Sequence, residues 1–197
     1  ALPLRKGEYV LSFDDGPSNA TAELLAILRK RCVRATFLLI GRKATAHRAT
    51  VRRIVQEGHG VGSHSQTHAN QSKLDDAAIR REVMDGVRSG AAARGGGGAE
   101  PRQLYRIPGG AGVSNVPSAG FRAWAREHRI VIAGYDISPQ DWRNDPPEVS
   151  FRRYSAGTAD RGVLVLHDGP ANTPRLLEMI LDDLERRGGQ VVALQVR

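Results

Sequence analysis

Residues 9–41 read YVLSFDDGPSNATAELLAILRKRCVRATFLLIG. A short apolar run, Tyr9 to Phe13, stops at Asp14-Asp15-Gly16-Pro17, a cluster of turn formers. Ser18 or Asn19 can cap a helix that runs to about Arg31, with Leu24, Leu25, Ile27 and Leu28 along one face. Residues 35–40 form a second apolar run of strand length, closed by Gly41. Strand, helix and strand within so short a span make the unit from which parallel sheets are built.

Working outward, the alternation continues. The pattern predicts a helix over 45–57 stopped by Gly58, then a short strand over 60–62 that leads into Ser63 and His64. A helix follows over 75–89, with Ala78, Ile79, Val83 and Val87 inward, then a glycine run at 95–98 that reads as a flexible surface loop. Beyond it come a strand over 104–106, a helix over 117–127, a strand over 130–135 and a helix over 147–159. The series ends with a strand over 163–166, a helix over 174–187 and a strand over 191–194. Repeated β–α units imply an α/β fold with a largely parallel sheet, open or closed into a barrel. No GxGxxG and no P-loop occurs, which argues against a nucleotide-binding fold.

With 197 residues the chain suits a single domain, 1–197, able to bury about 70% of its extended surface. A content of 40% hydrophobic and 25% charged residues is that of a globular protein and excludes a collagen, a disordered tail and a membrane bundle. No apolar run approaches the roughly 18 residues that span a bilayer. The single cysteine, Cys32, can make neither an internal disulfide nor a thiolate zinc cluster. A net charge of +8 invites an anionic partner, but aromatics are 5% and interleave with no basic run, so the expectation is no nucleic acid. The opening Ala1-Leu2-Pro3-Leu4 lacks an initiator methionine, as expected where a presequence or tag has been removed.

Functional groups of parallel α/β folds gather at the carboxyl ends of strands. Those ends here carry Asp14 and Asp15, His64, Arg106, Asp136, and His167 with Asp168. His64-Ser65-Gln66-Thr67-His68 places two imidazoles on one face if the segment is helical, a spacing that suits one metal ion. With an aspartate they offer a two-histidine, one-carboxylate site with coordination positions left open, as a catalytic metal needs. Adjacent aspartates diverge, so one can ligate while the other serves as general base. His167 is a candidate general acid, since imidazole titrates near neutral pH. Arg106 can orient a carboxylate such as Asp14, and the Gly109 N–H can face a developing oxyanion. Taken singly, each has an ordinary competing explanation: a turn, a strand-end histidine, a pair of surface histidines.

The order of these residues resembles the polysaccharide deacetylases of carbohydrate esterase family 4, the NodB-homology group. Ser12-Phe13-Asp14-Asp15-Gly16-Pro17 resembles the family's TFDDGP, His64 to His68 its H-S/T-x-x-H, and Arg106 to Gly110 its R-x-P-Y-G. Asp141-Trp142 matches the end of D-x-x-D-W, Leu164 to His167 matches L-x-L-H, and residues 35–41 resemble the family's second strand. The resemblance implies a distorted (β/α) barrel with fewer than eight strand–helix units. It implies Asp15, His64 and His68 as ligands of a divalent metal, commonly zinc, though cobalt, iron or nickel also suits the donor set. It further implies Asp14 as general base, His167 as general acid, Arg106 holding Asp14, and Leu166 with Trp142 lining the pocket for the acetyl methyl.

The expected activity is hydrolytic removal of acetyl groups from an N-acetylated polysaccharide, in an extracytoplasmic place of action. The alternatives are an O-acetyl esterase of the acetylxylan kind and a non-catalytic glycan-binding module. Two departures stand out. Ser138 replaces the first aspartate of D-x-x-D-W, which leaves Asp136 and Asp141 as rival partners for His167, and Gly109 replaces the usual tyrosine after the proline.

Overall fold

β1 (Glu8–Asp14) lies at the heart of the sheet, and every residue after Glu8 in it is buried. The computed structural model describes residues 3–95, 102–109 and 118–194. Six strands run in the order β5 (Ile130–Ile132), β4 (Gln103–Tyr105), β3 (Gly60–Ser63), β2 (Thr36–Leu39), β1, β6 (Gly162–His167), and β7 (Gln190–Val191) pairs with the start of β1. Each pairing is parallel. Between the edge strands, Ile137 bridges to Leu164, which draws β5 and β6 together into a distorted (β/α) barrel. Parallel strands buried on both faces read as continuous apolar runs, which is why β1, β2 and β6 were legible in the sequence.

The helices are α1 (Thr21–Lys30), α2 (Gly41–Ala46), α3 (Arg48–Gln56), α4 (Asp76–Arg94), α5 (Ala119–Glu127), α6 (Pro147–Gly157) and α7 (Thr173–Arg186). The main core joins Leu11, Phe13, Phe37, Leu164 and Leu166 of the sheet to Leu24, Leu25 and Leu28 of α1, Ile54 of α3, and Leu176, Leu177, Ile180 and Leu184 of α7. A second cluster holds Ile79 and Val83 of α4, Tyr105, Phe121 and Ile130.

Four local expectations are corrected. The helix expected over 45–57 is two helices parted at His47, whose φ of −117° and ψ of 45° are not helical. The helical stretch begins at Gly41, straight after the extended Ile40 that ends the strand run, and not at 45; α2 packs hard on α4 there, where a Cβ on Gly41 would lie 2.9 Å from Gly86 Cα. Neither Ser18 nor Asn19 caps α1; the N-cap is Ala20, with no side-chain cap. β5 ends at Ile132, so Asp136 is not its terminal residue. Gly95 closes α4 in the left-handed conformation, with φ 99°. Gly96 to Gly98 of the expected loop, Gly110 of the proline turn and Pro117 of the expected helix lie outside the described residues.

Candidate active site

Alternation along β1 sends Leu11 and Phe13 to the helices and Ser12 and Asp14 to the opposite face. Asp14 is buried and meets Arg106, whose Nη1 donates to Asp14 Oδ1 at 2.7 Å and to Ser12 Oγ at 2.9 Å. The other guanidinium donors reach the carbonyls of Gly134 at 3.0 Å and Ala133 at 3.4 Å. A buried ion pair is tolerable when its remaining donors are satisfied in this way. Asp14 keeps its second oxygen for the cleft, where Oδ2 lies 3.8 Å from His64 Nε2.

Asp15 turns away from Asp14 because its backbone is left-handed, with φ 73°. Its Oδ1 lies 3.2 Å from His68 Nε2 and 3.6 Å from His64 Nε2. One ligand atom from each of the three residues falls within 4.8 Å of the others. The segment 64–68 is not helical, as it would need to be for both rings to share a helix face. It is a loop in which Ser65 and His68 are left-handed, with φ 66° and 64°, and the Ser65 hydroxyl accepts the His68 N–H at 2.9 Å. The two rings meet edge-to-face with centroids 5.0 Å apart.

The donor set fits a divalent cation. Asp15 Oδ1 is buried without a hydrogen bond, an expensive condition that a cation relieves. His64 Nδ1 donates to the Arg106 carbonyl at 2.9 Å, which fixes the tautomer and leaves the Nε2 lone pair toward Asp15. Burial holds the His64 pKa below its ordinary value against the pull of Asp14 and Asp15, favouring the neutral ligand form.

His167 ends β6 in register with Asp14 on the neighbouring strand. Its partner is Asp141: Oδ1 lies 2.8 Å from His167 Nδ1, and Oδ2 accepts the His167 N–H at 2.8 Å and the Thr173 hydroxyl at 2.7 Å. Burial alone would lower the His167 pKa, but the hydrogen bond and charge of Asp141, aided by Asp14 and Asp15, leave it raised. Asp136 is corrected as a candidate. Its carboxylate is exposed and accepts the Val163 N–H at 2.8 Å, four residues and roughly 13 Å before His167 along the strand.

Leu166 is corrected as well. It packs within the main core beside the α1 and α7 leucines, completely out of reach of solvent. The residue sharing His167's face is Val165, in register with Ser12. Trp142 is 53% exposed, with the Arg143 guanidinium 5.7 Å from its ring centroid. Gly109 is exposed with φ 84°, a backbone that a side chain rarely adopts, so its divergence from the usual tyrosine has a conformational reading. Sequence reasoning missed Ser12, Thr173 and Val165, although the period of two back from Asp14 and His167 points to Ser12 and Val165. Among the described residues it also passed over Lys43, whose Nζ donates to the Asp15 carbonyl at 2.9 Å.

A parallel barrel carrying a two-histidine, one-carboxylate cluster, with a buried carboxylate and a carboxylate-held histidine at neighbouring strand ends, has the layout of a hydrolase. The chain belongs to the polysaccharide deacetylase family, whose model matches residues 2–124. It is 27% identical over 199 residues to a peptidoglycan-N-acetylglucosamine deacetylase of Bacillus cereus, with 98% of the chain and 89% of that protein covered. It is 28% identical over 196 residues to a chitooligosaccharide deacetylase of Bradyrhizobium sp., covering 92% and 86%. The solved family 4 carbohydrate esterase from Streptomyces lividans superposes with a TM-score of 0.81 at 29% identity, covering 97% and 93%.

Proposed function

We propose that residues 1–197 form one catalytic domain that hydrolyses the acetamide of an N-acetylglucosamine-type glycan, such as chitin, peptidoglycan or an exopolysaccharide. The observation that carries this reading is the convergence of the Asp15–His64–His68 cluster, the Arg106-held Asp14 and the Asp141-held His167 at one end of the sheet. The named relatives support a glycan N-acetyl substrate. Asp15, His64 and His68 would hold a divalent metal, zinc first, with cobalt, iron and nickel as candidates. When bound, the ion supplies Lewis-acid polarisation of the acetyl carbonyl and lowers the pKa of a water.

The protein's own groups then divide the proton traffic. Asp14 Oδ2 takes a proton from the attacking water, while Arg106 and Ser12 keep Oδ1 occupied and the carboxylate turned toward the cleft. The Gly109 N–H donates to the oxygen that gains negative charge. His167, bonded through Nδ1, has Nε2 left to protonate the departing amine. Val165 and Trp142 flank the acetyl methyl. A relative named for peptidoglycan, a cell-wall polymer, supports an extracytoplasmic place of action as part of this proposal; no helix among the described residues is long and apolar enough to cross a membrane.

Acetate release from a panel of acetylated glycans tests the reading, run with chelator and again with metal restored. Activity on N-acetyl glycans that chelator abolishes and metal restores is expected; acetate released only from O-acetyl esters such as acetylated xylan would move the assignment to an esterase, and none from any substrate would overturn catalysis.

A further inference from the structure

Asp168 follows His167 at the end of β6, is completely buried, and has no part in the reaction proposed above. Its hydrogen bonds go to the stretch that runs from Asp14 through the turn to the start of α1. Oδ1 accepts the Ser18 hydroxyl at 2.6 Å, Oδ2 the Thr21 hydroxyl at 2.6 Å, and the Asp168 N–H donates to the Asp14 carbonyl at 2.7 Å. The carboxylate also lies flush against the turn: a Cβ on Gly16 would sit 2.3 Å from Asp168 Oδ2.

This explains why Ser18 does not cap α1: its hydroxyl donates to Asp168 and accepts only the Ala20 N–H, at 3.0 Å. A carboxylate that only filled space here would be better replaced by an apolar side chain, because burying its charge is costly. The turn, by contrast, needs an anchor. Asp15 is left-handed, a conformation that non-glycine residues hold only where their surroundings fix it. Lys43 grips the Asp15 carbonyl at 2.9 Å and the Ile40 N–H grips that of Gly16 at 3.0 Å, but neither reaches the Asp14 side of the turn. Asp168 does.

We infer that Asp168 is a positioning residue, whose carboxylate packs on Gly16 and fastens Ser18 and Thr21, the exit of the turn of residues 14–17, to the end of β6, and so fixes the direction in which Asp15 meets His64 and His68. The inference rests on the reading of those three residues as metal ligands. Partners that orient ligands in this way typically change metal affinity or activity by about 10–100-fold when removed.

The test uses Co²⁺ alone as probe, followed by visible absorption, together with acetate-release kinetics and the thermal midpoint of the metal-free protein. For Asp168→Asn, which keeps the side chain's size, the expected result is Co²⁺ affinity weakened about tenfold or more, an altered absorption band, and kcat lowered with KM within about twofold. Ser18→Ala and Thr21→Ala should each weaken Co²⁺ binding by a smaller factor, and they carry the test if Asp168→Asn does not fold. Wild-type Co²⁺ affinity and spectrum in the folded variants overturns the inference, as does a lowered midpoint with the spectrum unchanged. If the wild-type protein binds Co²⁺ but releases no acetate, the hydrolase reading fails while the Co²⁺ comparison still decides the role of Asp168. A wild-type protein that binds no Co²⁺ overturns both the ligand reading and this inference.

Discussion

At the scale of residues, the site separates two tasks that the sequence sets side by side. Asp14 and Asp15 are neighbours, yet one is buried against Arg106 and the other, through a left-handed backbone, faces two imidazoles. Asp14→Asn keeps the shape and the hydrogen bond to Arg106 but removes the basic oxygen. It should lower kcat by about 10²–10⁴-fold while leaving cation binding intact, as measured by calorimetric titration. The His167–Asp141 pair makes a second, signed prediction. Because the net effect of its surroundings raises the His167 pKa, the acid form persists to higher pH than in a free imidazole, and N-deacetylation is lost as pH rises through that value. Asp141→Asn removes the group that opposes burial, so the alkaline limb of the pH–rate profile should move to lower pH. The same sign governs stability: the pair's contribution is complete below the unfolded histidine pKa and fades as pH rises through the folded one. An alkaline limb that stays in place in Asp141→Asn would remove His167 from the role of acid.

At the scale of elements, packing decides what the sequence left ambiguous. The βα alternation was legible because β1, β2 and β6 are apolar runs between clear turn signals, and His167, Asp14, Arg106 and the histidine pair stand at strand ends where chemistry is expected. α2 was not legible, because Gly41 normally signals an end. It starts a helix whose backbone packs closely on that of α4, where Gly41 and Gly86 lie together. The choice between Asp136 and Asp141 was equally invisible: it depends on the register of Asp136 against Val163 and on where the chain turns back toward Thr173. Leu166 was mistaken for Val165 because a motif names letters, whereas the pleat assigns faces. Gly86 links this packing to the site. A Cβ there would lie 2.6 Å from the Ser65 carbonyl carbon and 2.6 Å from Ser63 Oγ, and Ser65 adjoins His64. Gly86→Ala should therefore cost about 1–3 kcal/mol in urea unfolding and reduce cation affinity as well. Leu177→Ala, in α7 and fully buried, should cost about 2–5 kcal/mol while the folded protein binds the cation normally. The pair of variants separates strain that reaches the site from a cavity that does not.

At the scale of the whole molecule, the net charge of +8 is a sequence feature that neither the fold nor the site accounts for. Arg48 and Arg52 of α3, Arg122 and Arg126 of α5, and Arg152 of α6 are all exposed, so the positive charge is spread over several helices on the outside of the barrel. Such a field acts on encounter and leaves the chemistry alone: it raises the local concentration of an anionic polymer and its association rate, and it is screened by salt. The screening length shortens from about 30 Å at 0.01 M ionic strength to about 8 Å at 0.15 M, so a charge spread over the barrel surface ceases to act together across that range. For an acidic glycan, kcat/KM should fall severalfold between those salt concentrations through KM, with kcat steady. A neutral chitooligosaccharide, which the field cannot attract, should show the same kcat/KM at both. Parallel salt dependence for the two substrates would assign the effect to the active site itself, where the Asp14–Arg106 pair, buried and little screened, is the group least able to produce it.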